Sequence, residues 1–493
     1  MSFPLYYLEV IVVVLGLLVL MAEAFFPREN KSLFGWISAS GLLVVLFLLI
    51  FCAKTIPAGQ NAEIDRFYSS DSSAYFFKGL ALIITALTVL MGVDYRKVLA
   101  HFTENPKSQE GIGEFYALPL FACAGMMWMA SAKDLVMVFV SLELTTITFY
   151  ILVAFMRRNV GSLEAGVKYL ILGALSTGFL VYGIAWIYGI SGTMSLDGIS
   201  QAIASHRLDD NLIPLLFGLS LILISLAFKV GAVPMHFWIP DVYQGAPTPT
   251  TAFLSVGSKA AGFIVALRIL EPFLENELTA EKTIFILGIL AAATLLVGNL
   301  GAIAQNNLKR LLAYSSVANA GFLVLALAAW TKGDSTSAST YQIVGFYLAT
   351  YLLMTVAALF ALQSISQNTG TENISMLQGL AQTHPALAWT LAIIFSALAG
   401  LPLTVGFFGK FYVFQAAVSS DFNLWLAIGA GFIGVVAGFY YYFKIIRIMF
   451  WDKPLGGPDI YLSSMTKAVI YPAAILIVIL GIYPQPIFTL LGN

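Results

Sequence analysis

Charged residues make up only 10% of this 493-residue chain, while 59% of it is hydrophobic. A soluble domain carries about 25% charged residues, so the scarcity excludes a soluble enzyme, a disordered chain and a nucleic-acid binder. What charge there is balances, with 25 basic against 26 acidic residues, which argues against a strongly charged partner surface. Cysteine is nearly absent. Cys52 and Cys123 cannot supply the four thiolates that an iron–sulfur cluster usually needs. No spacing of His, Cys, Asp or Glu suggests a metal site. Polar linkers, which should separate domains in a soluble chain of this length, are missing as well.

What fills the chain instead is a repeated apolar run long enough to cross a hydrocarbon core of about 30 Å. Hydropathy predicts an all-α polytopic membrane protein with 14 spans, at 5–25, 33–53, 73–93, 115–131, 134–156, 163–190, 211–238, 249–270, 281–304, 309–330, 340–365, 385–419, 423–448 and 467–490. The first span lacks a basic leader region and a small-residue cleavage site, and it carries Glu9 and Glu23, so it reads as a retained helix rather than a signal peptide. Connections and helix ends following odd-numbered spans hold thirteen lysines and arginines, among them Arg28, Lys107, Arg157, Lys309 and Lys444; those following even-numbered spans hold seven, among them Arg207 and Arg268. The positive-inside rule then puts the odd connections in the cytoplasm and both termini outside.

Five lysines remain, all within apolar spans: Lys78, Lys168, Lys229, Lys259 and Lys410. An ionisable group at membrane depth is costly and usually faces a protein interior or a hydrated path. Lys78 lies near a helix start and can snorkel to the interface; Glu9, also near an end, reads as structural. Lys168 follows Glu164 by four residues, the favourable order for a helical ion pair, and is a secondary candidate. Glu143 lies nine residues after Asp134, or about 13 Å along a helix, with no cation on its own span. Lys259 sits deep in its span among small residues, Ser255-Val-Gly-Ser-Lys-Ala-Ala-Gly262, which let backbones and water approach.

Lys229 and Lys410 share a further feature. Asn211 to Tyr243 and His384 to Ser419 are 33 and 36 residues long, too long for one straight span. Each carries helix breakers beside its lysine: Lys229-Val-Gly-Ala-Val-Pro234-Met-His236, and Gly400-Leu-Pro402-Leu-Thr-Val-Gly406-Phe-Phe-Gly409-Lys410. Broken helices at membrane depth occur where they are buried in protein or line a hydrated cavity, and their ends handle ions. His236 could relay protons or be a satisfied interface histidine. His101, His206 and His384 lie in connections or at helix ends and carry no assigned chemistry.

The broken spans, seven and twelve, differ by five. Helices 4–8 (115–270) and 9–13 (281–448) are therefore read as two five-helix repeats, the second inverted. They follow three N-terminal helices and a loop (1–114) and precede a last helix at 467–490. Gly429-Ala-Gly431-Phe-Ile-Gly434 fits the dinucleotide pattern, which has meaning only between a strand and a helix. Here it lies in a continuous apolar run, where such glycines permit close helix packing.

Ile239-Pro-Asp-Val-Tyr-Gln-Gly-Ala-Pro-Thr-Pro-Thr250 closely resembles the signature of the subunit N family of respiratory complex I, the NADH–quinone oxidoreductase. Asn307-Leu-Lys-Arg-Leu-Leu-Ala-Tyr-Ser-Ser316 and Ser141-Leu-Glu-Leu144 also look like that family, and the likeness covers nearly the whole chain. The resemblance implies an antiporter-like proton channel subunit in a bacterial inner membrane, related to Mrp-type cation/proton antiporter subunits. It implies a row of proton-carrying groups: Glu143 on helix five, Lys229 on broken helix seven, Lys259 on helix eight and Lys410 on broken helix twelve. A sibling complex I subunit and the similar Mrp subunit typically carry glutamate at the last position, so Lys410 favours subunit N. The resemblance further implies other complex I membrane subunits as neighbours, with NADH, FMN, iron–sulfur clusters and quinone on partner subunits and no cofactor on this chain. The competing readings are a Mrp-type antiporter subunit outside any redox enzyme and a non-conducting scaffold.

Overall fold

A computed structural model describes residues 3–25, 31–51, 53–54, 62–103, 112–205, 211–333, 338–454 and 460–492. Cys52, His206, Arg28, Lys107 and Arg207 lie outside the described residues. Apart from a two-residue parallel pairing of β1 (Phe3–Pro4) with β2 (Ala53–Lys54), the regular structure is helical.

Thirteen helices among the described residues are long and apolar enough to cross a membrane, and two shorter apolar helices make up a fourteenth span. We number them by span: α1 (Tyr6–Phe25), α2 (Ser32–Phe51), α3 (Ser72–Asp94), α4 (Ile112–Ser131), α5 (Leu135–Val153), α6 (Val160–Ser191), α7a (Leu212–Val230) and α7b (Trp238–Gly245). Then follow α8 (Thr248–Leu274), α9 (Glu277–Ile303), α10 (Leu308–Ala328), α11 (Thr340–Thr369), α12a (Pro385–Ala399), α12b (Val405–Val418), α13 (Trp425–Trp451) and α14 (Ser464–Ile482). The predicted last span ends earlier than expected, at Ile482; a separate turn of helix, Gln485–Leu490, follows because Pro484 and Pro486 cannot continue the ladder.

Polar residues set the helix ends. Asp134 accepts from the Val136 N–H at 2.8 Å, Asn307 from Arg310 N–H at 3.1 Å, and Ser339 and Gln342 form a reciprocal capping box. Each satisfies donors that a helix start leaves unpaired. Gly192 and Gly370, both with positive φ, end α6 and α11.

The chain forms two compact units. The first comprises residues 1–231 and 245–286, and the second residues 232–244 and 287–493. In the first, α1 packs on α4, α2 on α3, α4 on α5 and α6 on α7a, and α8 is buried along its length. In the second, α11 packs on α12b and α14, and α12a on α13. Gly431 and Gly434 serve α13 as packing positions: a side chain at Gly434 would meet Asn299 at 2.6 Å, and one at Gly431 would meet Phe414 at 2.9 Å.

Two expectations about charge are revised here. Lys78 does not snorkel. It is fully buried and pairs with the equally buried Glu9 at 2.7 Å, and Tyr68 donates to the same carboxylate at 2.8 Å. A cation that has a carboxylate within reach inside the bundle has no reason to stretch toward headgroups. Arg268, read as a helix-end residue, is buried and donates to both Asp71 oxygens at 3.0 Å and to the Ala130 carbonyl. Burial pushes the Asp71 carboxyl up, but the guanidinium outweighs it and holds the group below its ordinary range.

Candidate functional site

The first unit brings three of the four principal candidates to neighbouring turns. Glu143 accepts a hydrogen bond from Thr177 of α6 at 2.7 Å. Three residues further along α5, Thr146 receives the Lys229 ammonium. The Thr146 hydroxyl spends its own proton on the Leu142 carbonyl at 2.6 Å, so its lone pairs are left facing the lysine. Glu143 and Lys229 are thus tied to different hydroxyls rather than to each other. They make no ion pair within 4 Å, yet remain in electrostatic range.

Lys229 occupies the last turn of α7a, buried to 6% exposure. The next residue but one, Gly231, takes a positive φ of 76° and ends the helix, and the chain stays unwound until Trp238. Pro234, with no N–H to give, lies inside that stretch. Lys259 follows a five-residue π-helical turn, Leu254–Ser258. Such turns are rare and occur frequently at functional sites. Gly262, one turn beyond Lys259, marks where α8 meets α7a: a Cβ there would stand 2.9 Å from Val230 and 3.5 Å from the Lys229 Cβ. Around them, Tyr169 stacks on Phe228 with centroids 5.8 Å apart and meets Tyr150 edge-on.

In the second unit Lys410 stands at the other break. α12a ends at Gly400, whose φ is +93°, and α12b begins only at Val405. The last two carbonyls of α12a are left without helical partners, and the Lys410 amine takes them: it donates to Leu398 O at 3.0 Å and Ala399 O at 2.7 Å. The negative end of a half-helix favours a cation at this point. Phe322 lies 5.5 Å beneath the amine. Gly406 is required where the half-helices pass, since a Cβ there would fall 1.9 Å from the Ala397 carbonyl oxygen. His236, in the unwound stretch after α7a, is buried to 6% exposure with its Nδ1 unbonded. Lys168 does not share this environment: it pairs with Glu164 at 2.7 Å on an exposed face of α6.

Reading for ionisable groups alone passes over the neutral residues beside them. Thr146 and Thr177 hold the charges in the first unit. In the second, Tyr347 donates to Asn319 at 2.7 Å, the Asn319 amide donates to Ser315, and Ser315 meets the Tyr442 hydroxyl. The signal that could have found this network was the amide of Asn319 inside an apolar span, since a buried amide demands partners. Among the described residues no group of His, Cys, Asp and Glu could hold a metal ion.

Fourteen apolar spans, two of them broken next to a lysine, define a polytopic membrane protein of the antiporter-like class. Residues 132–437 match the family described as NADH:quinone oxidoreductase/Mrp antiporter, transmembrane. NADH-quinone oxidoreductase subunit N from Desulfitobacterium hafniense is 36% identical over 99% of this chain and 97% of its own. The chain belongs to the NADH-quinone oxidoreductase subunit N family. Among solved structures, a chain of respiratory complex I from Thermus thermophilus superposes with a TM-score of 0.77 at 29% identity, covering 98% of both chains. A chain of the Mrp complex from Dietzia sp. DQ12-45-1b gives 0.80 at 18% identity, over 99% of this chain and 96% of that one; it shares the fold.

Proposed function

We propose that this chain is a proton-translocating membrane subunit of an NADH–quinone oxidoreductase, with Glu143, Lys229 and Lys259 carrying protons in the first unit and Lys410 in the second. The observation that carries the reading is the pairing of each helix break with an amine, seen most directly in the two terminal carbonyls of α12a that Lys410 occupies. Such an amine keeps its acceptors when the proton leaves, because a carbonyl or a threonine lone pair still accepts from –NH2, though more weakly than from –NH3+. Movement of Glu143 toward or away from Lys229 would change the stability of the charged amine, and each 1.4 kcal/mol or so alters its protonation ratio tenfold. His236 is a secondary member of the route; Lys168, paired with Glu164 on an exposed face of α6, would act only at its margin.

The driving energy would come from quinone reduction on partner subunits that carry NADH, FMN and iron–sulfur chemistry, with other antiporter-like and small membrane subunits as neighbours. Helices 4–8 and 9–13 would form two inverted repeats, after an N-terminal section of three helices and before a closing helix, in a bacterial inner membrane with both termini outside. The internal likeness of the units supports the repeat. Leu135 N–H bonds Met194 O and Leu196 N–H bonds Lys133 O, each at 3.0 Å; Leu308 N–H bonds Glu372 O and Ile374 N–H bonds Asn306 O, each at 2.8 Å. The same crossing thus ties the start of α5 to the end of α6 and the start of α10 to the end of α11.

Replacing Lys259 with alanine in the assembled complex tests the reading. Loss of pumping with impaired quinone reduction is expected, and normal pumping and turnover would overturn it. Purification without flavin or iron–sulfur subunits, together with sodium-dependent transport, would instead favour a Mrp-type antiporter.

A further inference from the structure

The repeated crossing builds a pocket in each unit. In the first, a cavity of about 380 Å³ is lined by Lys133, Leu196, Asp197, Ser200 and, from the end of α8, Arg268 and Glu271. In the second, a cavity of about 380 Å³ is lined by Asn306, Ile374, Ser375, Gln378 and, from the end of α13, Lys444 and Asp452. The correspondence is positional. Leu196, Asp197 and Ser200 follow the bridge residue Ser195 by the same intervals at which Ile374, Ser375 and Gln378 follow Asn373. Arg268 and Lys444 are each about two turns before the end of their helix.

The two cations differ in one respect. Arg268 has an internal counterion, Asp71, which comes from the segment leading into α3, outside the five-helix block. Lys444 is half-buried and, among the described residues, has neither an ion pair nor a hydrogen bond. A half-buried amine beside a polar cavity wants an acceptor, and the chain provides its counterpart with one but not Lys444.

We propose that this pocket binds the phosphate group of an anionic phospholipid, with Lys444 as the charge partner. The hydroxyl and amide donors of Ser375, Gln378 and Asn306 line the same cavity, and phosphate oxygens accept from all of these. Below the pocket, α13 presents an exposed apolar stripe of Phe432, Val436, Tyr440 and Phe443 that ends one residue short of Lys444. The stripe runs over twelve residues, Phe432 to Phe443, roughly 16 Å on a helix, or about one leaflet of a 30 Å core. Trp389 and Trp451 stand exposed beside it, Trp389 edge-on to Phe450 at 4.9 Å, as aromatic side chains do at headgroup level. An acyl chain on the stripe puts its phosphate at the amine. The connections on this face are the ones richer in lysine and arginine, the side that meets anionic lipid. Asp452 at the rim gives an acceptor for a headgroup hydroxyl.

The test uses the assembled complex in bilayers of phosphatidylglycerol and phosphatidylcholine, with retained lipid counted by native mass spectrometry after detergent washing. Lys444→Gln should retain phosphatidylglycerol about fivefold more weakly than the parent, the equivalent of about 1 kcal/mol for one basic side chain at an anionic surface, while Lys444→Arg should keep it. Because Lys444 holds no internal pair, neither change removes a fold contact. Displacement of the lipid by inorganic phosphate alone would assign the site to free phosphate, and the lipid proposal would fall. Equal retention by Lys444→Gln would overturn it, as would carbodiimide cross-linking of Lys444 to a carboxylate of a partner subunit.

Discussion

Gly400 offers a sharp test of whether the Lys410 geometry matters to proton movement. Its φ of +93° lies in the left-handed region, and a Cβ there would stand 3.1 Å from both the Cδ and the Nζ of Lys410. Gly400→Ala therefore has two separable consequences. The backbone term is roughly 1–2 kcal/mol, the cost of an L side chain in that conformation. The second term is the amine. It must move by several tenths of an ångström, and its bonds to Leu398 O and Ala399 O, at 3.0 and 2.7 Å, weaken. A hydrogen bond involving a charged group contributes about 1.5–3 kcal/mol. Losing the equivalent of one, if the proton-transfer step bears it, slows that step roughly 10- to 150-fold. Gly370→Ala isolates the first term, because Gly370 also has a positive φ, +71°, but a Cβ there meets nothing within 4 Å. Proton pumping and quinone reduction measured together in membrane vesicles, with thermal stability of the purified complex, separate the two. Both variants should lose the backbone term in stability, Gly400→Ala more than Gly370→Ala because its amine bonds weaken as well, and only Gly400→Ala should lose pumping. Equal pumping by the two would refute the idea that Lys410 works from its seat on the terminal carbonyls of α12a.

Three further outcomes follow from buried charge. Lys78→Met leaves Glu9 uncompensated at 0% exposure and should destabilise by about 3–5 kcal/mol; adding Glu9→Leu should recover most of that, and thermal melts of the complex measure both. Thr177→Val removes the 2.7 Å donor to Glu143 and should slow pumping severalfold with assembly intact, as scored by blue-native gels. Asp71, held low by Arg268, stabilises the folded state at any pH above the ordinary carboxylate range, and that contribution disappears as pH falls through its lower folded value. Acid titration of the parent should then show a loss of stability below roughly pH 4 that Asp71→Asn does not.

Much of this was legible because membrane depth makes charge conspicuous. Fourteen spans follow from apolar length, and both breaks follow from glycine and proline beside lysine. That pattern picks out Lys229 and Lys410, and the structure puts Lys229 in the last turn of α7a and the Lys410 amine against the end of α12a. Geometry that depends on partners from distant parts of the chain was not legible. Glu9 precedes Lys78 by 69 residues and Asp71 precedes Arg268 by 197, so nothing local announces either pair. A row of Glu143 and Lys229 gives no hint of Thr146 and Thr177, because a hydroxyl in an apolar helix can be silent, bonding its own backbone. The π-helical turn before Lys259 has no compositional mark in Leu254-Ser-Val-Gly-Ser258 at all.

The acceptors that hold Lys410 are peptide oxygens, and no side-chain replacement can delete them. An acid placed at 410 by a single substitution would point its oxygens at carbonyl oxygens. The residue at this position and the path of the chain through 398–404 are therefore constrained to vary as one part.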